Sequence, residues 1–453
     1  MAEPRLFGTD GIRGQANRSP MTTEMAMAVG RAVAAHYRGG SAGRLRAVVG
    51  RDTRLSGPML ECALAAGICS AGGDVLRAGV LPTPGVAFLT RDEGADVGLV
   101  ISASHNPYDD NGIKIFSGEG RKLSDAEEDL IEALVPTGLR GSPAVSGQQV
   151  GMIGDLGQAT SRYADFCTKT FPGPSLEGMR IVLDCAHGAT YQVAPAVLSS
   201  LGAELTVIND EPDGVNINER CGSEHPEGLS AAVRELGADV GLAFDGDGDR
   251  LIAFDEQGHR LTGDQIIVVC ARMYRDRGWL EKNLVVTTVM SNLGLKPALQ
   301  SLGMDHVASK VGDRYVLETM AEREATLGGE ESGHIVFGRH HTTGDGIVAA
   351  LQLLAALRFY GRPLAELAAA MVVFPQTVVN VDVASKPPLE DIPGLAPAIS
   401  EAEAELGEGG RLLVRYSGTQ AVCRVMVEGP TVEITERLAA RLAGILRSGI
   451  GAG

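Results

Sequence analysis

Three aspartates that alternate with glycines offer the clearest chemistry in the sequence. Asp245, Asp247 and Asp249 stand in the segment LAFDGDGDR, directly after the apolar run VGLAF. Glycines allow the backbone to fold tightly, and three converging carboxylates repel one another unless a cation neutralises them. Hard oxygen ligands select Mg²⁺ or Ca²⁺. The segment therefore predicts a divalent metal site, with a solvated acidic loop as the alternative.

An EF-hand calcium loop would also begin D-x-D-x-D, and Glu256 falls at its twelfth position. However, Arg250 occupies the sixth position, where an EF-hand turn needs glycine. The aspartates also lead directly into a predicted strand, LIAF, where a calcium loop would still continue. The pattern thus favours Mg²⁺ over Ca²⁺.

A serine follows another predicted strand, in the segment ISASHNPYDDNGIK. A hydrolase nucleophile would stand in G-x-S-x-G, whereas the neighbours of Ser104 are Ala103 and His105. Loop serines are most often caps, so the residue types alone leave Ser104 open between a cap and a reactive group. Lys114 closes the segment and could place a cation nearby, or be a solvated surface lysine.

Two further segments carry recognition chemistry. In LGGEESGHIVF, Glu330, Ser332 and His334 alternate with other residues, which could place them on one face of an extended loop suited to sugar hydroxyl or amine groups. A capped turn is the alternative. In VRYSGTQAVCR, hydroxyls, backbone amides and two guanidiniums could form a phosphate cradle, or an ordinary hairpin. The residues of this second segment are Arg415, Ser417, Gly418, Thr419 and Arg424.

Basic residues in other loops fit an anionic ligand. Arg13 lies in the glycine-rich segment GTDGIRG, and Lys310 and Arg314 lie in SKVGDR. Arg51 and Arg54, in GRDTRLSG, are interpreted instead as mainly structural or peripheral.

The elements that must position these loops repeat three times. Strands beginning RAVVG, RIVLD and NLVVT are each followed by a polar loop, a helix, a glycine-containing turn and a second strand. This order predicts right-handed βαβ units in parallel or mixed sheets, whose ligands bind at the carboxyl ends of the strands. We therefore predict three consecutive α/β domains with mixed sheets plus a smaller C-terminal α+β domain, arranged around one central cleft. The expected bounds are 1–152, 153–255, 256–370 and 371–453.

Bulk properties narrow the class of protein. The chain has 453 residues, a formal net charge of −17 and an aromatic fraction of 4%, which argue against nucleic-acid or anionic-membrane binding. Seven scattered cysteines without a C-x-x-C pair predict reduced, structural thiols and a cytoplasmic location. The N-terminus does not read as a signal peptide, and no run reaches the ~18 apolar residues of a membrane helix.

The motifs as a set resemble the α-D-phosphohexomutase family. GTDGIRG, SASHNP, DGDGDR, GEESGH and RYSGT occur in the order and at the spacing of that family, and the resemblance covers essentially the whole chain. The runs SKVGDRYV, GGEESGHI and TTGDGIVAALQLL are similar to its bacterial branch that acts on glucosamine phosphates. The phosphate loop of the family usually reads SGTEP, whereas this chain has Gln420 and Ala421, which could loosen the loop or alter sugar preference.

The resemblance implies a role for each motif. It implies that Ser104 is phosphorylated in the active enzyme and that one Mg²⁺ is held by the three aspartates and a phosphoserine oxygen. It implies that the loop with Glu330 and Ser332 binds sugar hydroxyls, and that the RYSGT loop grips the phosphate that does not react. Lys310 and Arg314 are further substrate-binding candidates. Positive charge around the transferring group is expected from Lys114, Arg13 and Arg250, and proton transfer from Lys114 or His334.

The resemblance further implies an activity. The expected reaction interconverts glucosamine 6-phosphate and glucosamine 1-phosphate through a hexosamine bisphosphate, for UDP-N-acetylglucosamine and cell-wall synthesis. A phosphomannomutase or phosphoglucomutase, a Mg²⁺-dependent sugar-phosphate phosphatase and a non-catalytic metal-binding protein are the alternatives. The expected partners are small sugar phosphates, neither nucleic acid nor membrane, and the chain is expected to be a monomer or a homodimer.

Overall fold

The computed structural model describes residues 5–8, 10–38, 44–140, 145–417 and 421–451. Its residues fall into two compact units. The first comprises Met1–Val289 and Val307–Ala369, and the second comprises Met290–His306 and Ala370–Gly453.

A six-stranded mixed sheet opens the first unit, with the strand order β1-β5-β4-β2-β3-β6. Strands β2, β3, β4 and β6 run parallel, while β5 pairs antiparallel with both β1 and β4. Its elements are β1 (Ile12–Gln15), α1 (Thr23–Arg38), β2 (Arg46–Arg51), α2 (Gly57–Ser70), β3 (Asp74–Val80), α3 (Thr83–Asp92), β4 (Val97–Ile101), β5 (Asp110–Ser117), α4 (Asp125–Arg140) and β6 (Ile153–Asp155).

The second sheet has five strands in the order β11-β10-β9-β7-β8. Strand β7 pairs parallel with β8 and β9, and β10 pairs antiparallel with β9 and β11. Its elements are α5 (Ala159–Thr170), β7 (Arg180–Asp184), α6 (Val193–Ser200), β8 (Glu204–Ile208), α7 (Glu227–Leu236), β9 (Val240–Phe244), β10 (Leu251–Phe254) and β11 (Arg260–Leu261).

The third sheet has four strands in the order β13-β12-β14-β15. Helix α8 starts with a capping box, in which Thr262 and Gln265 satisfy each other's backbone N–H groups. Helix α11 is apolar on all sides, as its burial from Gly346 to Leu357 requires. The elements are α8 (Gly263–Asp276), β12 (Leu284–Thr288), α9 (Leu295–Ser301, in the second unit), β13 (Asp305–Ser309), α10 (Asp313–Arg323), β14 (Leu327–Gly329), β15 (Ile335–Phe337), α11 (Gly346–Tyr360) and α12 (Leu364–Ala368).

The second unit is built on an antiparallel three-stranded sheet in the order β16-β18-β17. Alternate residues of β18, among them Cys423, Val425 and Val427, pack with Leu438 and Leu442 of the last helix. The remaining elements are β16 (Gln376–Asp382), α13 (Leu395–Leu406), β17 (Arg411–Tyr416), β18 (Val422–Glu428) and α14 (Val432–Ile450).

The predicted fold class, three α/β domains with mixed sheets and a smaller α+β domain, is confirmed. The domain boundaries stay a prediction. One detail bears on them, because β6 begins at residue 153 and yet pairs with β3 of the first sheet. All seven cysteines are free thiols, as expected. In the parts of the chain described, no helix is both long and apolar enough to cross a membrane.

Helices α1 and α2 approach each other closely enough to need glycine at the contact. A Cβ on Gly67 would lie 2.2 Å from the carbonyl oxygen of Met27, and a Cβ on Gly30 would lie 2.4 Å from that of Leu64. Both partner atoms are backbone atoms, so neither can move aside as a flexible side chain would. The close packing of these two helices therefore depends on the absence of a Cβ at Gly30 and Gly67.

We expect Gly67→Ala to destabilise the first unit by about 1–3 kcal/mol, because overpacking outweighs the better helix propensity of alanine. Gly444→Ala in α14 is the matched control, since a Cβ there meets no atom within 4 Å. The control should be neutral or stabilising by up to about 1 kcal/mol. Calorimetric unfolding compares the two variants, and a Gly67→Ala protein as stable as the control would contradict the packing argument.

Candidate active site

Ser104 faces a carboxylate at the carboxyl end of β4. Its hydroxyl donates a hydrogen bond to Asp245 Oδ2 at 2.5 Å, and the side chain is almost completely buried. The backbone of Ser104 has a φ of 54°, in the left-handed region, and its N–H donates to Ser102 Oγ at 2.9 Å. The hydroxyl is therefore directed at the predicted metal loop and not at a helix end, which excludes the capping interpretation.

The three aspartates converge in the loop between β9 and β10. Asp245, Asp247 and Asp249 are all buried, and one oxygen of each lies within 4.8 Å of the others. Gly248 has a φ of 72°, and a Cβ on Gly246 would lie 2.6 Å from the Ser104 carbonyl oxygen. The alternating glycines thus permit both the tight loop and its close approach to the serine.

The residues present fit a divalent cation. Asp247 Oδ1 and Asp249 Oδ1 are buried without a hydrogen-bond partner, an arrangement that is rare unless another ligand satisfies the oxygen. Burial raises the pKa of Asp245 well above its usual value, and the carboxylates of Asp249 and Asp247 raise it further. This mutual repulsion is what a cation would relieve.

Lys114 lies beside the aspartates and is buried, so the surface-lysine interpretation is wrong. Its Nζ lies 2.8 Å from Asp247 Oδ2, 3.1 Å from Asp10 Oδ2 and 3.4 Å from Asp249 Oδ2. Burial lowers the pKa of Lys114, but these three carboxylates together raise it well above its usual value. Lys114 is therefore held in its charged form.

Lys122 and His334 extend this arrangement into a closed ring, called here the charged ring, in which basic and acidic side chains alternate. Lys122 Nζ contacts Asp10 Oδ1 at 2.5 Å and also pairs with Asp313. The His334 imidazole lies 3.6 Å from Asp313 and 3.7 Å from Asp249. Burial lowers the pKa of His334, and the Asp249 and Asp313 carboxylates outweigh that effect and raise it. The members of this charged ring, in order, are Lys114, Asp10, Lys122, Asp313, His334 and Asp249.

Two predicted arginines lie at the same cluster. Arg13 pairs with Asp10, whose carboxylate raises the pKa of Arg13 against the effect of burial. Arg250 follows the metal loop, with Nε 3.9 Å from Asp249 Oδ1 and Nη1 3.7 Å from Glu224. The structure thus brings both guanidiniums to the rim of the aspartates.

The predicted sugar loop packs directly on the end of the metal loop. Gly333 has a φ of 91°, and a Cβ there would lie 2.1 Å from the carbonyl oxygen of Leu251. Glu330 accepts a hydrogen bond from the Gly312 N–H at 3.0 Å, and burial raises its pKa. Ser332 Oγ is buried without a hydrogen-bond partner. The loop therefore presents polar atoms beside Arg250 and His334.

The structure does not bring Lys310 and Arg314 to this cluster. Lys310 is exposed and lies 5.6 Å above the Tyr315 ring. Arg314 pairs with Glu128 at 2.6 Å and with Asp125. Their neighbour Asp313, which the sequence analysis did not select, is the residue of this segment that joins the charged ring.

The predicted phosphate loop lies in the second unit, between β17 and β18. Arg415 and Arg424 are directly opposite each other in the ladder, where like charges repel and a bound anion would offset the repulsion. The Ser417 N–H donates to the Val422 carbonyl oxygen at 2.8 Å, and Lys386 Nζ donates to the Ser417 carbonyl oxygen at 2.6 Å. Gly418, Thr419 and Gln420 lie outside the described residues.

Several residues of the site were missed in the sequence. Asp10 and Asp313 stand inside the segments GTDGIRG and SKVGDR, but only the cations of those segments were chosen. Lys122 carried no local signal. The peripheral interpretation of Arg54 is wrong, because it is fully buried and donates to the Ser104 carbonyl oxygen at 2.9 Å. For Asp10 and Asp313, the usable signal was an acidic residue close in sequence to a predicted cation.

Comparison with known proteins gives consistent matches along the chain. Models of phosphoglucomutase/phosphomannomutase alpha/beta/alpha domains I, II and III match residues 4–140, 161–258 and 262–374, and the model of the C-terminal domain matches 378–445. A relative from Syntrophobacter fumaroxidans named phosphoglucosamine mutase is 54% identical over 98% of this chain and 99% of its own length.

Solved structures share the fold. A phosphoglucomutase/phosphomannomutase family protein from Burkholderia thailandensis superposes with a TM-score of 0.79 at 24% identity, covering 98% of this chain and 97% of its own. The Aspergillus fumigatus N-acetylphosphoglucosamine mutase in complex with GlcNAc-6P and magnesium gives a TM-score of 0.64 at 17% identity, with 99% and 96% coverage.

We expect Mg²⁺ to raise the thermal midpoint of the protein, because it relieves the repulsion among the buried aspartates. At a Mg²⁺ concentration 100-fold above the dissociation constant, the gain is about 2.7 kcal/mol. Asp247→Asn should abolish most of this shift. Asp305→Asn, at an exposed carboxylate, is the control and should keep it. Equal Mg²⁺ shifts in the two variants would argue against the site.

Proposed function

The chain belongs to the α-D-phosphohexomutase family of phosphoglucomutases and phosphomannomutases, and from this premise we propose that it interconverts glucosamine 6-phosphate and glucosamine 1-phosphate. Relatives that are 50–54% identical over nearly their full length are named phosphoglucosamine mutase. The product would feed UDP-N-acetylglucosamine and cell-wall synthesis in the cytoplasm. The observation that carries the proposal is the buried Ser104 hydroxyl, 2.5 Å from the first of three convergent aspartates.

Ser104 is the phosphoryl carrier in this proposal. The phosphoryl group leaves Ser104 Oγ and bonds to the free O1 of glucosamine 6-phosphate, which loses its proton, while Oγ gains one. The resulting glucosamine 1,6-bisphosphate turns around, and its 6-phosphoryl group leaves O6 and bonds to Ser104 Oγ. Oγ loses its proton, O6 gains one, and glucosamine 1-phosphate is released. Such transfers depend on positioning and charge neutralisation more than on covalent activation.

The charged groups around Ser104 have different roles in the proposed transfer. Asp245, Asp247 and Asp249, with a phosphoserine oxygen, would hold one Mg²⁺, which when bound neutralises charge on the phosphoryl group. Lys114, Arg13 and Arg250 add positive charge around it. Lys114 is also one candidate for proton transfer, although the carboxylates that raise its pKa favour its charged form, which suits it better to charge neutralisation than to giving up a proton. His334 remains the second candidate for proton transfer.

The comparisons favour transfer to a sugar over transfer to water. Relatives that match nearly the whole chain are named phosphoglucosamine mutase, whereas a phosphatase would pass the phosphoryl group to water. Release of inorganic phosphate without isomer formation would favour the phosphatase alternative.

Substrate recognition is assigned to two loops. We assign sugar hydroxyl or amine recognition to Glu330 and Ser332, because Ser332 Oγ is buried and still has a hydrogen bond to form. We assign the phosphate that does not react to the segment that joins β17 and β18. Its residues in this proposal are Arg415, Ser417, Gly418, Thr419 and Arg424. Arg314 is proposed to be structural, because Glu128 and Asp125 already occupy its guanidinium.

Ser104→Ala should fold normally and lose interconversion by about four orders of magnitude or more, because the phosphoryl carrier is gone. Coupled assay of product formation, together with intact mass after incubation with a hexose bisphosphate, checks both activity and phosphorylation. Ser161→Ala is the control, since this exposed serine only donates to the Gln158 carbonyl oxygen near the start of α5, and its activity should stay within about threefold of wild type. Near-normal flux in Ser104→Ala would remove the carrier role.

The proposed substrate predicts a preference for the amino sugar. With Mg²⁺ and a bisphosphate primer, kcat/KM for glucosamine 6-phosphate should exceed that for glucose 6-phosphate and mannose 6-phosphate by at least ~100-fold, about 2.7 kcal/mol in the transition state. Parallel assays of the three sugars measure it. A preference for mannose or glucose would keep the carrier and the metal loop but overturn the substrate.

A further inference from the structure

Two side chains from distant parts of the chain donate to the same two carbonyl groups of the Ser104 loop. Arg54 Nη2 donates to the carbonyl oxygens of Ser104 at 2.9 Å and of Asn106 at 2.8 Å. Asn218 Nδ2 donates to the same two oxygens at 2.9 and 3.0 Å. Each oxygen thus accepts two hydrogen bonds, which is the full capacity of a carbonyl group.

The guanidinium of Arg54 also binds two further backbone carbonyl groups of the loop. Its Nη1 donates to the Asp110 carbonyl oxygen at 3.0 Å and also to that of Pro107. One planar group therefore binds four backbone carbonyls between residues 104 and 110. A lysine ammonium carries the same charge but lacks this rigid fork of donors.

The charge of Arg54 is buried with a single paired carboxylate. Arg54 and Asp52 are both fully buried, and Arg54 Nε donates to Asp52 Oδ2 at 2.8 Å. Burying an ion pair is costly, and apolar residues of similar volume often stabilise a fold as well or better. The pairing at Nε leaves the other edge of the guanidinium to the serine loop, which indicates a role in shaping that loop.

The segment that carries Arg54 is itself fixed to the second sheet. Thr53 Oγ1 donates to the His187 carbonyl oxygen at 2.6 Å, and the Leu55 N–H donates to the Gly214 carbonyl oxygen at 2.8 Å. His187 follows β7 and Gly214 follows β8. These two hydrogen bonds therefore fix the position of Arg54 relative to the second sheet, and strand β9 of that sheet leads into the metal loop.

The backbone that these donors hold is one that needs support. Ser104 has a φ of 54°, a conformation that persists in residues other than glycine only where the surroundings fix it. In this conformation Oγ reaches Asp245 Oδ2 at 2.5 Å. A loop released from its donors would carry Oγ away from the aspartates.

We propose that Arg54, together with Asn218, is a positioning residue for phosphoryl transfer that fixes Ser104 Oγ against the aspartate loop by holding the Ser104 and Asn106 carbonyls. This inference rests on the proposed function. Arg54 acts through the backbone and touches neither the sugar nor the phosphoryl group, so its removal should lower kcat much more than it changes KM.

The test compares Arg54→Lys, Asn218→Gly, the double variant and the control Arg51→Lys. Glycine suits position 218 because its φ is 60°, and Arg51 lies three residues away, paired with Glu61 at 3.2 Å. We expect Arg54→Lys to lower kcat by about 10²-fold with KM within about threefold, since small misplacements of reacting atoms cost this much. Asn218→Gly should lower kcat by about tenfold, and Arg51→Lys should stay within about threefold of wild type.

The double variant separates a shared role from two independent ones. Because both side chains act on the same carbonyls, its loss of kcat should stay close to that of Arg54→Lys and well below the product of the single losses. Thermal midpoints and intact mass after incubation with glucose 1,6-bisphosphate report folding and Ser104 phosphorylation. If Arg54→Lys does not fold, the kcat of Asn218→Gly alone tests the positioning role.

Two kinds of failure are distinguishable. Wild-type kcat in Arg54→Lys or, where that variant is unfolded, in Asn218→Gly would overturn the positioning role while leaving the mutase assignment intact. A rise in KM with unchanged kcat would overturn it as well. A wild-type protein that neither interconverts the two glucosamine phosphates nor takes up a phosphoryl group on Ser104 would overturn the proposed function itself.

Discussion

The mutual repulsion of three buried carboxylates is the constraint on which the site depends. Asp247 and Asp249 each leave one carboxylate oxygen buried without a hydrogen-bond partner, so the loop requires compensating positive charge. Lys114 supplies part of it from β5. The geometry in which these carboxylates repel one another is the geometry that a divalent cation and a phosphorylated serine would use, so stability and function compete at this point of the fold.

The charged ring links the positive charge that offsets the aspartate repulsion to several other segments of the first unit. Its members come from residue positions between 10 and 334, and cation and carboxylate alternate around it. Removing one partner of a buried pair strands the other charge at a cost of about 3–5 kcal/mol. The segments around β1, β5 and the start of α10 and the loops after β9 and β14 are therefore tied to one another by charge, which explains why short motifs far apart in sequence meet at one place.

The sequence predicts which residue types carry the chemistry of this site better than it predicts which of them contact one another. The alternating aspartates and the serine at a strand end could be recognised because apolar strands, glycines and polar loops follow local rules. Lys122 could not, since its significance depends on which distant loops meet, and Asp10 and Asp313 carried only the signal of standing close in sequence to predicted cations. For Arg54 the sequence left a structural and a peripheral role open, because a buried arginine cannot be told from a surface one until its carbonyl partners are known. The boundary near residue 152 is ambiguous for a similar reason, because the pairing of β6 with β3 is a long-range choice.

The central claim, that Ser104 carries a phosphoryl group between two positions of one sugar, is tested most directly by following that group. Protein carrying a ³²P-labelled phosphoryl group on Ser104 would be mixed with Mg²⁺ and unlabelled glucosamine 6-phosphate in a single turnover. The account predicts that the label leaves Ser104 and appears in glucosamine 1,6-bisphosphate and the glucosamine monophosphates. Label released as inorganic phosphate, or label that stays on the protein while the sugars interconvert, would contradict it.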